Sequence, residues 1–155
     1  MAPQPAPFST PLPDEGGEVV PQAFSSDLAE TETVDLMRWL RAEDRVTASG
    51  AKAELVRRGF DTVHLELARR LFDPDADVRK RLARMLPGLT SVDAVPWMLW
   101  LSRDADPEVR LTAITLLATT ADPALLEQIE QIVSQDPDPR IQRQAARISQ
   151  RNGQR

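Results

Sequence analysis

The chain contains no cysteine and no tyrosine, and His64 is its one histidine. Without cysteine there is no disulfide framework and no thiolate chemistry. With a single imidazole, the inventory for general acid–base catalysis is thin. There is no Gly-rich phosphate loop and no Ser/His/Asp constellation with a credible base. No apolar run approaches the ~20 residues of a membrane span. The opening MAPQPAPFST lacks both the basic start and the apolar stretch of a secretory signal. These absences lead us to expect a soluble, cytoplasmic, non-catalytic protein with no cofactor, no bound metal and no membrane contact. A length of 155 residues fits one domain.

What is present is unevenly placed. Net charge is −5. Residues 1–35 hold seven acids and no Lys or Arg, so residues 36–155 hold 19 bases and 17 acids. Six of the thirteen prolines lie in residues 1–24. The first 26 residues read as a disordered, Pro-rich, acidic arm, and residues 27–152 as the folded part. The arm carries short apolar pieces at Phe8 and in EVVPQAF, residues 18–24.

From Ser25 onward the periodicity is helical, and no segment shows the alternation of a strand. Three aspartates at alternate positions, Asp73, Asp75 and Asp77, first suggest a calcium loop. Such a loop needs Gly at its sixth position and a bidentate Glu at its twelfth. Counting from Asp73 these are Val78 and Arg84, and counting from Asp104 the sixth is Arg110. The aspartates are better read as helix caps, with proline in or near the first turn.

Aligning these turns exposes an internal repeat. Val78, Val109 and Ile141 sit 31 and then 32 residues apart, each five residues after an aspartate, Asp73, Asp104 and Asp136. Leu55, Leu86, Leu117 and Ile148 recur at 31. Four helix pairs follow: 27–42 with 45–58, 61–72 with 77–87, 92–103 with 107–120, and 123–135 with 138–151. The apolar stripe on the second helices runs i, i+4, i+7, i+8, as Val78, Leu82, Met85 and Leu86, then Val109, Ala113, Leu116 and Leu117. No pair buries such a stripe alone, so the repeats stack into one all-α solenoid.

The Asp-Pro-Asp turns followed by Val-Arg, at a 31-residue period, resemble the HEAT-repeat family, in the short bacterial form also found in bilin-lyase-like proteins. The resemblance covers about residues 28–151. It implies a right-handed α-solenoid of about four repeats that binds another macromolecule. It also implies a polar ladder between repeats, made by Asp73 with Arg79 and Asp104 with Arg110. The pattern breaks at Asp136, where Gln142 takes the arginine slot, and in the first repeat, which has no arginine there. HEAT-like deoxyhypusine hydroxylases use paired His-Glu motifs for iron, and this chain has none.

A helical wheel turns Lys80 and Arg84, Leu111 and Thr115, and Arg143 and Arg147 away from the stripe, with Arg81 at the edge and Arg151 continuing the last row. In a HEAT-like solenoid this face is concave. The candidate contact residues are therefore Lys80, Arg81, Arg84, Thr115, Arg143 and Arg147, with an acidic or phosphorylated protein segment as the expected partner. Nucleic acid on the same ridge is the alternative, although +2 on the body is weak for it, with a glycosylase-type enzyme further behind. The acidic arm is a further candidate occupant of the ridge. The wheel turns Trp97 outward as a second contact patch, with Val95 and Leu99 inward. The first helix, around Leu36, Met37, Trp39 and Leu40, offers an apolar assembly edge.

Overall fold

The computed structural model describes residues 28–119 and 122–152. Within them lie α1 (Thr33–Trp39), α2 (Arg45–Arg57), α3 (Thr62–Leu71), α4 (Ala76–Met85), α5 (Ala94–Leu101), α6 (Pro107–Leu117), α7 (Pro123–Ser134) and α8 (Pro139–Asn152). A 3-10 turn, Leu86–Gly88, follows α4. No strand occurs among the described residues. The expected arm falls on residues 1–26, outside them, and so does the side chain of Arg151.

Aspartate starts most of these helices. Asp44, Asp61, Asp75, Asp93, Asp106 and Asp122 each accept a hydrogen bond from a backbone N–H of the helix that follows. A short carboxylate satisfies donors that have no intrahelical partner. Pro107 and Pro123 sit in the first turn, where the missing N–H costs nothing. Pro96 likewise falls in the first turn of α5. Helix α2 stops at Gly59, whose φ of +93° is open to glycine at little cost. The Phe60 N–H reaches back to Leu55 O, and the Gly59 N–H to Val56 O, which caps the last carbonyls.

The helices form four consecutive pairs, and each pair packs on the next, through α1 on α3, α4 on α6 and α6 on α8. One continuous core runs through all four, from Leu28 to Ile148. It is the all-α solenoid expected from the repeat.

Three details differ from expectation. Helix 27–42 is not continuous. Residues 28–30 form a separate helical turn, and α1 begins at Thr33. The Arg58 guanidinium reaches across from the end of α2 and donates to the carbonyls of Leu28, Ala29 and Thr31 and to Thr33 Oγ1. Arginine binding there accompanies the interruption of the helical ladder. Second, Leu36, Met37 and Leu40 are buried in the chain's own core, so they form no assembly edge. Third, the buried stripe is rotated. Leu82, Ala83 and Leu86 are buried on and after α4, and Val109, Ala113, Ile114 and Leu117 on α6, while Met85 is exposed and Leu116 only half-buried. Helix α4 is held among α3, α5 and α6, and contact on several sides widens the stripe towards the i+5 position.

Glu54 is a buried carboxylate in α2. Arg57 donates to both its oxygens at 2.7 and 2.6 Å, and Arg58 to one at 2.9 Å. These two arginines hold its pKa at about 2, below the ordinary 4.5, against the opposing effect of burial. A carboxyl whose pKa is depressed by folding adds stability above its unfolded pKa and loses it as pH falls through the folded one. The melting temperature is therefore expected to fall between about pH 4.5 and about pH 2. Glu54→Gln should flatten that part of the curve. An unchanged pH profile in the variant would assign the acid sensitivity to other carboxylates.

A candidate partner-binding surface

The alternate aspartates work in sequence. Asp73 accepts from the Asp75 N–H and Asp75 from the Asp77 N–H, at 2.9 and 2.8 Å. Asp104 and Asp106 repeat this with the N–H groups of Asp106 and Glu108, and Asp136 and Asp138 with those of Asp138 and Arg140. Each carboxylate thus shapes the turn between the two helices of a repeat.

The first aspartate of each turn is also the acceptor for the preceding repeat. Arg79 donates from Nε and Nη2 to the two oxygens of Asp104 at 2.7 and 2.9 Å, and from Nη1 to the Asp73 carbonyl. Arg110 does the same to Asp136, at 2.8 and 3.1 Å, and to the Asp104 carbonyl. Both carboxylates are largely buried, and so are both guanidinium groups. Each arginine therefore holds its own turn by the backbone and the next turn by the side chain. Gln142 keeps only the first half, donating to the Asp136 carbonyl at 2.7 Å. At the other end Asp73 is met by Arg41, from the loop after α1, at 3.4 Å.

With Arg79 and Arg110 committed, the second helices present the remaining basic residues outward. Arg81 and Arg84 on α4 and Arg143 and Arg147 on α8 are exposed. Among the described residues, no hydrogen bond or ion pair engages these four side chains. Thr115 is exposed on α6, between the two sets. Lys80 is half-buried and paired with Asp77 at 2.8 Å, and it holds the Asp77 carboxyl below the usual range. It is the least available member of the ridge. Leu111, half-buried, interrupts the basic column.

Trp97 does not belong to this surface. It is 3% exposed, with Met98 and Leu101 also buried, while Val95 and Leu99 are only partly covered. The expected orientation of α5 is therefore reversed. AVPWMLWL is apolar on every side and contains no polar residue to mark the solvent face. The Trp97 ring meets Trp100 edge-on, with centroids 5.4 Å apart, and lies 6.2 Å from both Phe60 and His64. His64 also pairs with Asp61 at 2.7 Å.

Three arginine contacts escape a helical wheel: Arg58 on the chain entry, Arg41 on Asp73, and Arg140 on Glu108 and Asp138. The last was available from the repeat itself. Glu108 and Arg140 occupy one slot in successive repeats, 32 residues apart. Residues in one slot face each other across a stack.

Among the described residues no group of three or more His, Cys, Asp or Glu could hold a metal, and no helix is long and apolar enough to cross a membrane. A family model described as HEAT repeats matches residues 63–150. No curated protein and no solved structure matches the chain significantly.

Proposed function

The chain belongs to the HEAT-repeat family, and from that premise we propose that it is a non-catalytic adaptor whose second-helix face grips an acidic or phosphorylated segment of a protein partner. Repeats of this family commonly serve as protein-interaction scaffolds. The observation that carries the reading is the division of labour among the arginines. Arg79 and Arg110 are consumed inside the stack, whereas Arg81, Arg84, Arg143 and Arg147 stand exposed and outside any ion pair among the described residues, with Asp77 acting on Arg81 and Arg84 only at longer range. Guanidinium forks of this kind suit carboxylate and phosphate oxygens.

Spacing narrows the partner. Packed helices lie about 8–10 Å apart, so α4 and α8, separated by α6, stand roughly 20 Å apart. An extended chain covers that in about six residues. The segment that fits has two anionic groups about six residues apart and a neutral or apolar centre, which would rest on Leu111 and Thr115. Nucleic acid would instead present phosphates at every step, and the uncharged middle of the ridge does not favour it.

The test is recovery of a partner with nuclease and without, from wild type and from a variant carrying Lys80→Glu, Arg84→Glu, Arg143→Glu and Arg147→Glu. We expect a protein that survives nuclease, binds through an acidic segment, and loses at least about tenfold in affinity in the variant, or ~1.4 kcal/mol. The three arginine changes lie on exposed side chains and should cost little, so the variant's melting temperature should fall only slightly, through Lys80→Glu, which sets a second carboxylate against Asp77. Recovery abolished by nuclease, with a steep salt dependence, would turn the reading to nucleic acid. Equal recovery from both proteins would overturn the ridge.

A further inference from the structure

A second surface lies away from the ridge, at the turns. A groove of about 600 Å³ opens between α1, the end of α3 and the end of α5, lined by Val34, Arg38, Phe72, Trp100, Arg103 and Ala105 among others. Its apolar side chains, Val34, Phe72 and Trp100, are each only partly buried. Trp100 is backed by the buried Trp97, and Phe72 carries the Arg38 guanidinium 5.1 Å from its ring centre. Asp73 and Asp104 also line the groove, but they are engaged by Arg41 and Arg79. The Arg103 side chain is exposed and has no hydrogen-bond or ion-pair partner among the described residues. The groove therefore combines an aromatic floor with spare positive charge at one rim.

We propose that this groove is the docking site of residues 18–24 of the same chain, EVVPQAF, with Phe24 between Phe72 and Trp100 and Glu18 towards Arg103. Two observations support that occupant. The first is reach. The described chain enters at Leu28, which is buried and held by Arg58, beside α1. Three residues lie between Phe24 and Leu28, and the four chain steps span at most about 14 Å. Arg58 binds both the Leu28 carbonyl and Thr33 Oγ1, so Leu28 lies at the start of α1, and that span is longer than the roughly 10 Å of this seven-residue helix, whose Val34 and Arg38 line the groove. The second is complementarity. Residues 1–35 contain acids and no Lys or Arg, and Phe24 is the sole aromatic residue between Phe8 and Trp39. A proline limits its own φ and the residue before it, so Pro21 reduces the chain entropy that docking would cost. The ridge fits this segment less well. Six of its seven residues are uncharged, and the ridge offers charge with Leu111 as its apolar part. Docking at the turns leaves the second-helix face free for a partner.

The lack of cysteine makes a clean test, because one introduced thiol gives one label site. The full chain carrying Gln22→Cys would bear a nitroxide, and paramagnetic broadening would be read at assigned methyl and indole signals. We expect broadening at Val34, Leu71 and the Trp100 indole, largely relieved by Phe24→Ser and by Arg103→Glu. Arg103 is exposed, so Arg103→Glu leaves the core untouched. No broadening at these sites would overturn the proposal, as would broadening that Phe24→Ser leaves unchanged. Broadening centred on Leu111 and Thr115 would overturn it in favour of the ridge. Transfer of the effect to unlabelled-spin chains in a mixed sample would overturn it in favour of a second copy.

Discussion

Arg110→Ala is expected to destabilise the fold by about 3–5 kcal/mol, the range for removing one partner of a buried ion pair. The side chains of Arg110 and Asp136 are 12% and 4% exposed, and the guanidinium makes four donor contacts, two to carboxylate oxygens and two to the carbonyls of Asp104 and Ala105. Burial pushes the Asp136 carboxyl up, but Arg110 and the Asp138 N–H together hold it below the usual range. Alanine leaves that carboxylate buried with one backbone donor and leaves two carbonyls unpaired. Because the carboxyl's pKa is depressed in the native protein, its contribution is present above the unfolded value and lost as pH falls. The variant should lose most at neutral pH and least in acid. Urea unfolding followed by tryptophan fluorescence at both pH values measures this. A second variant, Arg110→Met with Asp136→Asn, should recover part of the loss, since the amide oxygen still accepts from the Asp138 N–H and no charge stays buried. A loss below about 1 kcal/mol in Arg110→Ala would place the pair with ordinary solvated ion pairs such as Arg140–Glu108, and the ladder would not hold the repeats together.

Trp97→Ala should cost a similar ~3–5 kcal/mol, the range for removing a large aromatic side chain from a core. The ring is 3% exposed and lies against Trp100, Phe60 and His64, which belong to α5, the end of α2 and α3. Its removal empties a junction of two repeats, and the surrounding aromatics cannot close the space. Trp97→Phe should cost less than half as much. Partner affinity per folded molecule should not change in either variant, because the side chain does not reach the second-helix face. Measuring stability and affinity on the same samples separates the two effects. Lost affinity with unchanged stability would return Trp97 to the surface where the helical wheel placed it.

The two residues also show what was legible in the sequence. The repeat was readable because a 31-residue interval fixed which residues share a slot. Val78, Val109 and Ile141 aligned the second helices, and aspartate marked their starts. The outward exposure of Arg81, Arg84, Arg143 and Arg147 was readable because polar and apolar residues segregate on α4 and α8. Helix α5 gave no such contrast, so its orientation was set by packing alone, and Trp97 was misplaced. Arg58 and Arg41 were missed for another reason. The i,i+4 spacing shows Arg58 its Glu54, but its hold on the carbonyls of Leu28, Ala29 and Thr31, and that of Arg41 on an out-of-register aspartate, are contacts that no side-chain pattern records. Met85 was misplaced because a wheel assumes one buried side, whereas α4 has neighbours on several.

The hold between turns has a sense of direction. Each arginine reaches forward, from Arg79 to Asp104 and from Arg110 to Asp136, and none of these reaches back. The stack is thus a polarised polymer, in which every unit offers a socket to the unit before it and a plug to the unit after it. Asp73 is a socket filled by a makeshift plug, Arg41, taken from a different slot. Gln142 is a blunted plug, with an amide that seats in its own turn and no charged fork to extend. Lengthening this array by one repeat after α8 would therefore take more than another helix pair. It would need arginine at 142 and an aspartate in the new turn, installed together, because either alone would leave an unpaired charge at the joint.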